Sequence, residues 1–568
     1  MKFLSQLLAA MLLWIFIACN QPGKQPSSAH VPVKNKQTVV QDMQMKEMKP
    51  PEQLQSRKAQ KFTPPKSVKD EKTGIQNQDG IEDEAVVSPP VKAFNTEDYD
   101  HIVENKFLAA VQNPLSTFSI DVDEAAYSNI RRYLNEGSLP PAGAVRIEEM
   151  VNYFDYTYPQ PAGKDPFSVN TEIAACPWNA QHKLIHIGLQ GKEIPINNLP
   201  SSNLVFLIDV SGSMDEPNKL PLVKSSLKLL TDQLRENDKV AIVVYAGNAG
   251  LVLPSTNGNN KIKIKEAIDN LEAGGSTGGG EGIQLAYKTA KQNFVTGGNN
   301  RVILATDGDF NVGASSDDEL VGMIEQERKS NVFLSVLGFG MGNYKDNKMQ
   351  QLADKGNGNH SYIDNINEAK KVLVSEFGST LFAIAKDVKI QVEFNPAAVQ
   401  AYRLIGYENR LMANEDFNDD LKDAGELGSG HTVTALYEII PTGVKDDFTK
   451  SVDPLKYQNT DKKIAFSSNS EIMTIKLRYK RPDDNVSMLI VHTVNNNNNI
   501  ELINTSDNFR FSAAVAEFGM LLRSSEFKQE SSFQQVLSLA TTAKGQDVNG
   551  YRAEFIKLVD AAHSLVRR

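Results

Sequence analysis

Cysteine is almost missing from this chain: 568 residues hold two, Cys19 and Cys176, so no disulfide framework can carry the fold. Histidine is scarce too. The eight present are scattered and form no HExxH or similar pattern, which excludes the common zinc arrangements. No stripe of Lys and Arg interleaved with aromatics appears. With a formal net charge of −10, that argues against a nucleic-acid partner. The glycine-rich run near residue 275 lacks the Gly-Lys-Ser/Thr ending of a phosphate cradle. The apolar stretch from Phe3 to Ala18 is short for a membrane-spanning helix.

That stretch follows Met1-Lys2 and precedes Cys19. A charged start, a short apolar core and a small residue make a secretory signal. Ile17-Ala18-Cys19 resembles a bacterial lipobox, which implies acylation of Cys19 and lipid anchoring in the cell envelope, with residues 1–19 as the signal. Phe16 stands where Leu is more usual. Residues 20–94 are rich in Lys, Gln, Pro, Ser and Glu. They cannot bury enough surface to offset their ordering entropy and read as a tether. As a flexible coil of about 75 residues it would reach on the order of 50 Å. Cys176 reads as a small buried apolar residue.

What is present centres on oxygen. Asp209, Ser211 and Ser213 lie in Leu207-Ile-Asp-Val-Ser-Gly-Ser-Met214, Thr277 in Ala273-Gly-Gly-Ser-Thr-Gly-Gly-Gly280, and Asp307 in Leu304-Ala-Thr-Asp-Gly308. Hydroxyls and carboxylates without sulfur or imidazole suit a hard divalent cation, Mg²⁺ first, with Mn²⁺ or Ca²⁺ as substitutes. With so few protein ligands, water or a partner's carboxylate must complete the shell. The apolar runs Leu204–Ile208 and Val302–Ala305 read as strands buried on both faces. Both lead into an aspartate, so Asp209 and Asp307 should stand at the carboxyl edge of a parallel sheet, where such folds bind ligands.

This pattern resembles the metal-ion-dependent adhesion site of von Willebrand factor A (VWA) domains, with its DxSxS element, distal Thr and later Asp. The resemblance implies direct metal contacts from Ser211, Ser213 and, in one state, Thr277. It implies water-mediated roles for Asp209 and Asp307, and a protein partner that supplies an Asp or Glu. The expected fold is α/β, a doubly wound, mostly parallel, Rossmann-like sheet over residues 201–385, closed by a helix from about Asn367 to Ala385.

Residues 95–200 are expected to form an α+β module. Ser116–Asp123 reads as a strand into a turn, Glu124–Asn135 and Ile147–Tyr153 as helices, and Leu184–Leu189 as a strand. Residues 386–568 read as β-rich, then helical. Val388, Ile390, Val392 and Phe394 alternate with polar residues, as do Met473, Ile475, Leu477 and Tyr479. Helical spacing follows from Phe511. Ser119–Ser128 and Ile147–Phe154 resemble the N-terminal module of YfbK-type bacterial VWA proteins, and the β-then-helix order matches their C-terminal region.

Rival chemistry is weaker. Gly274–Gly278 formally matches GxSxG, but the residues before it read as a helix, whereas a hydrolase elbow needs a strand there. Asp307–Gly313 resembles the start of a calcium loop with its glycine one place late, so Asp309 and Asn311 read as loop-shaping. The expectation is a non-enzymatic, membrane-tethered binding protein. A metal-dependent hydrolase and a structural module with an idle metal site remain the alternatives.

Overall fold

The computed structural model describes residues 96–568 except 277–278, 309–316, 377, 379–381, 450–469, 483, 485, 497–498 and 568. Cys19, the tether, Thr277, Asp309 and Asn311 therefore lie outside the described residues. From Ser88 onward the chain forms one compact unit.

The first segment contributes β1 (Leu108–Ala109), β2 (Leu115–Ser119), helices α1 (Ala125–Asn135) and α2 (Ile147–Asn152), β3 (Phe167–Cys176) and β4 (Asn179–Gly191). The middle segment runs β5 (Ser202–Asp209), α3 (Leu220–Gln233), β6 (Lys239–Tyr245), β7 (Ala249–Asn257), α4 (Lys261–Asp269) and α5 (Gly279–Gln292). It continues with β8 (Asn299–Thr306), α6 (Asp317–Arg328), β9 (Phe333–Gly338), α7 (Asp346–Lys355), β10 (His360–Tyr362) and α8 (Ile366–Lys370). The last segment holds β11 (Ala383–Phe394), β12 (Val399–Ile405), β13 (Gly425–Gly428), β14 (Thr432–Pro441), β15 (Glu471–Lys480), β16 (Ser487–Asn495) and β17 (Asn499–Ile500). Three helices end the chain: Asp507–Arg523, Phe533–Thr542 and Tyr551–Val566.

The middle segment is the expected doubly wound sheet, ordered β10-β9-β8-β5-β6-β7. All neighbours are parallel except β7, which returns antiparallel to β6. Strands β5 and β8 are buried along their whole length, as strands covered on both faces must be. Leu220, Val223, Ile264 and Val372 pack one face, from α3, α4 and the closing turn. Ile283, Ile324 and Leu352, from α5, α6 and α7, pack the other. The order of strands reverses about β5, so the crevice beyond Asp209 and Asp307 is the topological switch point.

The closing helix is shorter than its spacing suggested. Among the described residues it runs over α8 and one wider turn, Lys371–Ser375, where Glu376 N–H reaches the Lys371 carbonyl at 2.9 Å, with Gly378 helical again. By Ala383 the chain is already strand β11, which pairs with β13, β15 and β2. Pairing with β13 overrides the helical propensity of Ala383-Ile-Ala385.

The first and last segments share their sheets. Six strands in the order β1-β12-β14-β4-β3-β17 form one sheet, and β13-β11-β15-β16 with β2 beside β11 form another. The two pack face to face through Ile185, Ile187 and Tyr437 against Ile390, Ile475 and Leu477. The outer face of the six-stranded sheet carries Trp178 and Leu436, covered by α1, α2 and the three C-terminal helices. Cys176 is buried there as a free thiol.

Arginines fasten this body to the VWA sheet. Arg131 of α1 donates to Asp364 at 2.8 Å and to Glu368 at 2.7 Å, and reaches Glu554 of the last helix at 3.1 Å. No helix among the described residues is long and apolar enough to cross a membrane.

Candidate metal centre

Asp209 ends β5 and is fully buried. Its Oδ1 accepts the Ser211 N–H at 2.9 Å, and its Oδ2 accepts the Tyr245 hydroxyl at 3.1 Å and the Thr306 hydroxyl at 3.3 Å. The carboxylate is thus aimed by β6 on one side and β8 on the other. Burial, and after it the negative charge of Asp307, push the Asp209 carboxyl up to about 6 against the pull of its donors.

Ser211 and Ser213 follow on the loop, their hydroxyl oxygens 3.1 Å apart. Adjacent ligands of an octahedron with bonds of about 2.1 Å are separated by about 3.0 Å. The two hydroxyls are hydrogen-bonded to each other at a separation that would also suit neighbouring ligands on Mg²⁺. The glycine loop is pinned alongside: Gly212 N–H donates to the Gly275 carbonyl at 3.1 Å and Gly274 N–H to that of Val210 at 2.8 Å. Gly275 has φ +84°, which a side chain would oppose. This brings the segment that leads to Thr277 against the serine loop.

Asp307, just past β8, is fully buried as well. Its Oδ2 accepts from Lys219 Nζ at 3.0 Å and from Asn343 Nδ2 at 3.1 Å. Burial opposes ionisation, but Asn343, Lys219 and the Ser213 hydroxyl outweigh it and hold the carboxyl below its usual range. Gly308, at φ +96°, could not carry a Cβ, which would lie 2.8 Å from the Lys345 nitrogen.

Four of the five expected ligands thus converge where the two strand ends meet. Sequence reasoning missed the residues that hold them. Lys219, immediately before α3, also donates to the Ser213 carbonyl at 3.0 Å, so one buried ammonium ties the serine loop to Asp307. A lysine six residues beyond Ser213 was a visible signal, whereas Tyr245, Thr306 and Asn343 carried none.

Asn343 belongs to a loop strapped by the first described residues. Thr96 N–H donates to the Gly342 carbonyl at 2.7 Å, Gly342 N–H donates to the Glu97 carboxylate at 2.8 Å, and Asp98 bridges Lys345 in parallel.

The donor set fits a hard cation. Among the described residues no three His, Cys, Asp or Glu side chains form a metal cage, so the hydroxyls are indispensable to this chemistry. His360 is fully buried, with Nε2 2.6 Å from the Tyr344 hydroxyl, and no described contact joins it to Ser276.

Comparison with known proteins agrees with this architecture. The sequence profile of the von Willebrand factor type A domain matches residues 203–374. One described as von Willebrand factor matches 93–186, and one for the C-terminal part of the uncharacterised protein YfbK matches 379–565. The uncharacterised protein YfbK of Escherichia coli K12 is 46% identical over 471 residues, covering 82% of this chain and 80% of that protein. The chain belongs to the YfbK family. The uncharacterised protein sll0103 of Synechocystis sp. is 32% identical over 29% of this chain and 39% of its own length. Among solved structures, a von Willebrand factor type A protein from Catenulispora acidiphila covers 80% of this chain and 91% of its own at 14% identity, with a TM-score of 0.36. BatB from Bacteroides thetaiotaomicron covers 31% of this chain and 97% of its own, at 23% identity and a TM-score of 0.27.

Proposed function

We propose that this YfbK-family chain is a non-enzymatic binding protein, tethered to a membrane through Cys19, that captures an acidic side chain of a partner protein at the VWA edge. Asp209, Ser211, Ser213, Thr277 and Asp307 would hold Mg²⁺, which supplies an open position for a carboxylate oxygen. The observation that carries the reading is the pair of serine hydroxyls at neighbouring-ligand spacing, framed by two buried carboxylates. Charge supports the choice of ion. Asp209 and Asp307 would balance a divalent ion, while Lys219 is shared between Asp307 and Glu216.

Calorimetric titration of the chain and of Asp209→Ala with Mg²⁺ tests the site; equal binding by both refutes the assignment. Reproducible EDTA-sensitive turnover of esters, phosphates or peptides would replace it with the metal-dependent hydrolase. Partner sets from envelope extracts that are identical for wild type and Ser211→Ala would make the site idle. Labelling with palmitate tests the anchor, since label persisting on Cys19→Ala removes it.

A further inference from the structure

The opposite end of the VWA sheet, where β8 and β9 begin, opens into a cleft of about 1290 Å³ between that sheet and the β-sandwich. Two buried side chains on β8 line it with unused donors. Arg301 is 2% exposed, and its guanidinium lies over the Phe333 ring at 5.6 Å. Among the described residues only its Nη1 has an acceptor, the Ser335 hydroxyl at 2.7 Å, and its Nε has none. No described carboxylate comes within ion-pair distance of it, and the acid that acts on it from farther away is Glu426. Asn299 stands two residues earlier on the same strand face. It is 8% exposed, and its Nδ2 likewise lacks an acceptor.

A buried donor without an acceptor is costly, and a buried charge without a counterion more so. Both orphan groups are donors, so the missing group is rich in acceptors and negatively charged. The rim agrees. Lys164, Lys192, Lys329, Lys386 and Arg481 line the cleft against two described acids, Asp165 and Asp484. In a chain of net charge −10, this is a local reversal of sign. Phe294, 40% exposed, joins Phe333 and Phe382 in the wall, giving an apolar surface beside the cationic one.

We propose that this cleft binds a phosphate-bearing ligand, whose oxygens accept from Arg301 and Asn299 while the surrounding lysines balance its charge. A tetrahedral oxyanion offers enough acceptors for both donors at once, and a guanidinium fork matches it. The same chemistry serves a soluble phosphorylated compound and a phospholipid headgroup.

The test uses the Cys19→Ala chain, so that no acyl group contributes, with inorganic phosphate and with vesicles of phosphatidylglycerol or phosphatidylcholine. Phosphate is expected to raise the melting temperature of the parent chain. The rise should vanish in Arg301→Gln, and the affinity should fall by on the order of tenfold in Lys192→Glu/Lys329→Glu. The second variant changes only exposed side chains and keeps the test decisive where Arg301→Gln fails to fold. Co-sedimentation with phosphatidylglycerol but not phosphatidylcholine, lost in the double variant, assigns the ligand to a membrane; a response to phosphate alone assigns it to a soluble compound. Binding of neither probe, or binding unchanged in both variants, overturns the proposal.

Discussion

Replacing Lys219 by Met separates electrostatic competition from simple support at the metal centre. The ammonium is buried, its side chain 4% exposed, and 3.0 Å from Asp307. Removing one partner of a buried pair costs about 3–5 kcal/mol, because the other charge is left uncompensated. The metal-free protein should therefore lose roughly 3 kcal/mol, or about 6–12 °C if the VWA segment melts as a unit of ordinary size. Metal binding should move the other way. Were a divalent ion held about 6 Å from the ammonium, the repulsion would be about 1.4 kcal/mol at the dielectric constant of water. Mg²⁺ should then bind at least about tenfold more tightly once the ammonium is gone. Melting curves in EDTA and in Mg²⁺, with calorimetric titration, read both effects, and Lys219→Arg serves as the charge-retaining control. A Lys219→Met protein that melts normally without metal yet binds Mg²⁺ more weakly would refute this reasoning and leave Lys219 as scaffolding.

Two further outcomes follow from the packing. Gly282 of α5 faces Tyr245, and a Cβ there would lie 2.8 Å from the Tyr245 Cβ and 3.1 Å from its Cγ. Gly282→Ala should cost about 1–3 kcal/mol and weaken Mg²⁺ binding together with it, because Tyr245 aims Asp209; calorimetry showing neither change would count against the coupling. Glu517 is buried in the helix Asp507–Arg523, with Ser532 N–H on Oε1 at 3.1 Å and the Ser531 hydroxyl nearby. Burial pushes its carboxyl up to about 8 from 4.5, so the folded protein binds the proton more tightly and stability falls as pH rises from about 4.5 to about 8. Glu517→Gln should flatten that slope and melt higher than the parent at pH 8 but not at pH 4.5; parallel curves across the window would show that Glu517 ionises freely.

Much of the VWA sheet was legible because its strands are short apolar runs that end in chemistry. Val302–Ala305 running into Asp307 located both β8 and the site edge, and Leu204–Ile208 did the same for β5 and Asp209. The rest was hidden for specific reasons. Ala383-Ile-Ala385 has no local mark that separates a helix end from a strand start, and only pairing with β13 decides it. The joint sandwich rests on pairs such as Leu189 with Val433 and Ser119 with Lys389, hundreds of residues apart, which no local pattern announces. Asn343 gains its role from a loop position that only the folded sheet defines.

The strap at the first described residues has a mechanical consequence. Thr96, Glu97 and Asp98 clasp the very loop whose Asn343 braces Asp307. Traction on the polypeptide upstream of Thr96 is therefore delivered to the loop that braces Asp307 and, through the Glu97–Arg132 ion pair, to α1. A chain pulled from that end would disturb the bracing of Asp307 early, and with it any cation the proposed site holds.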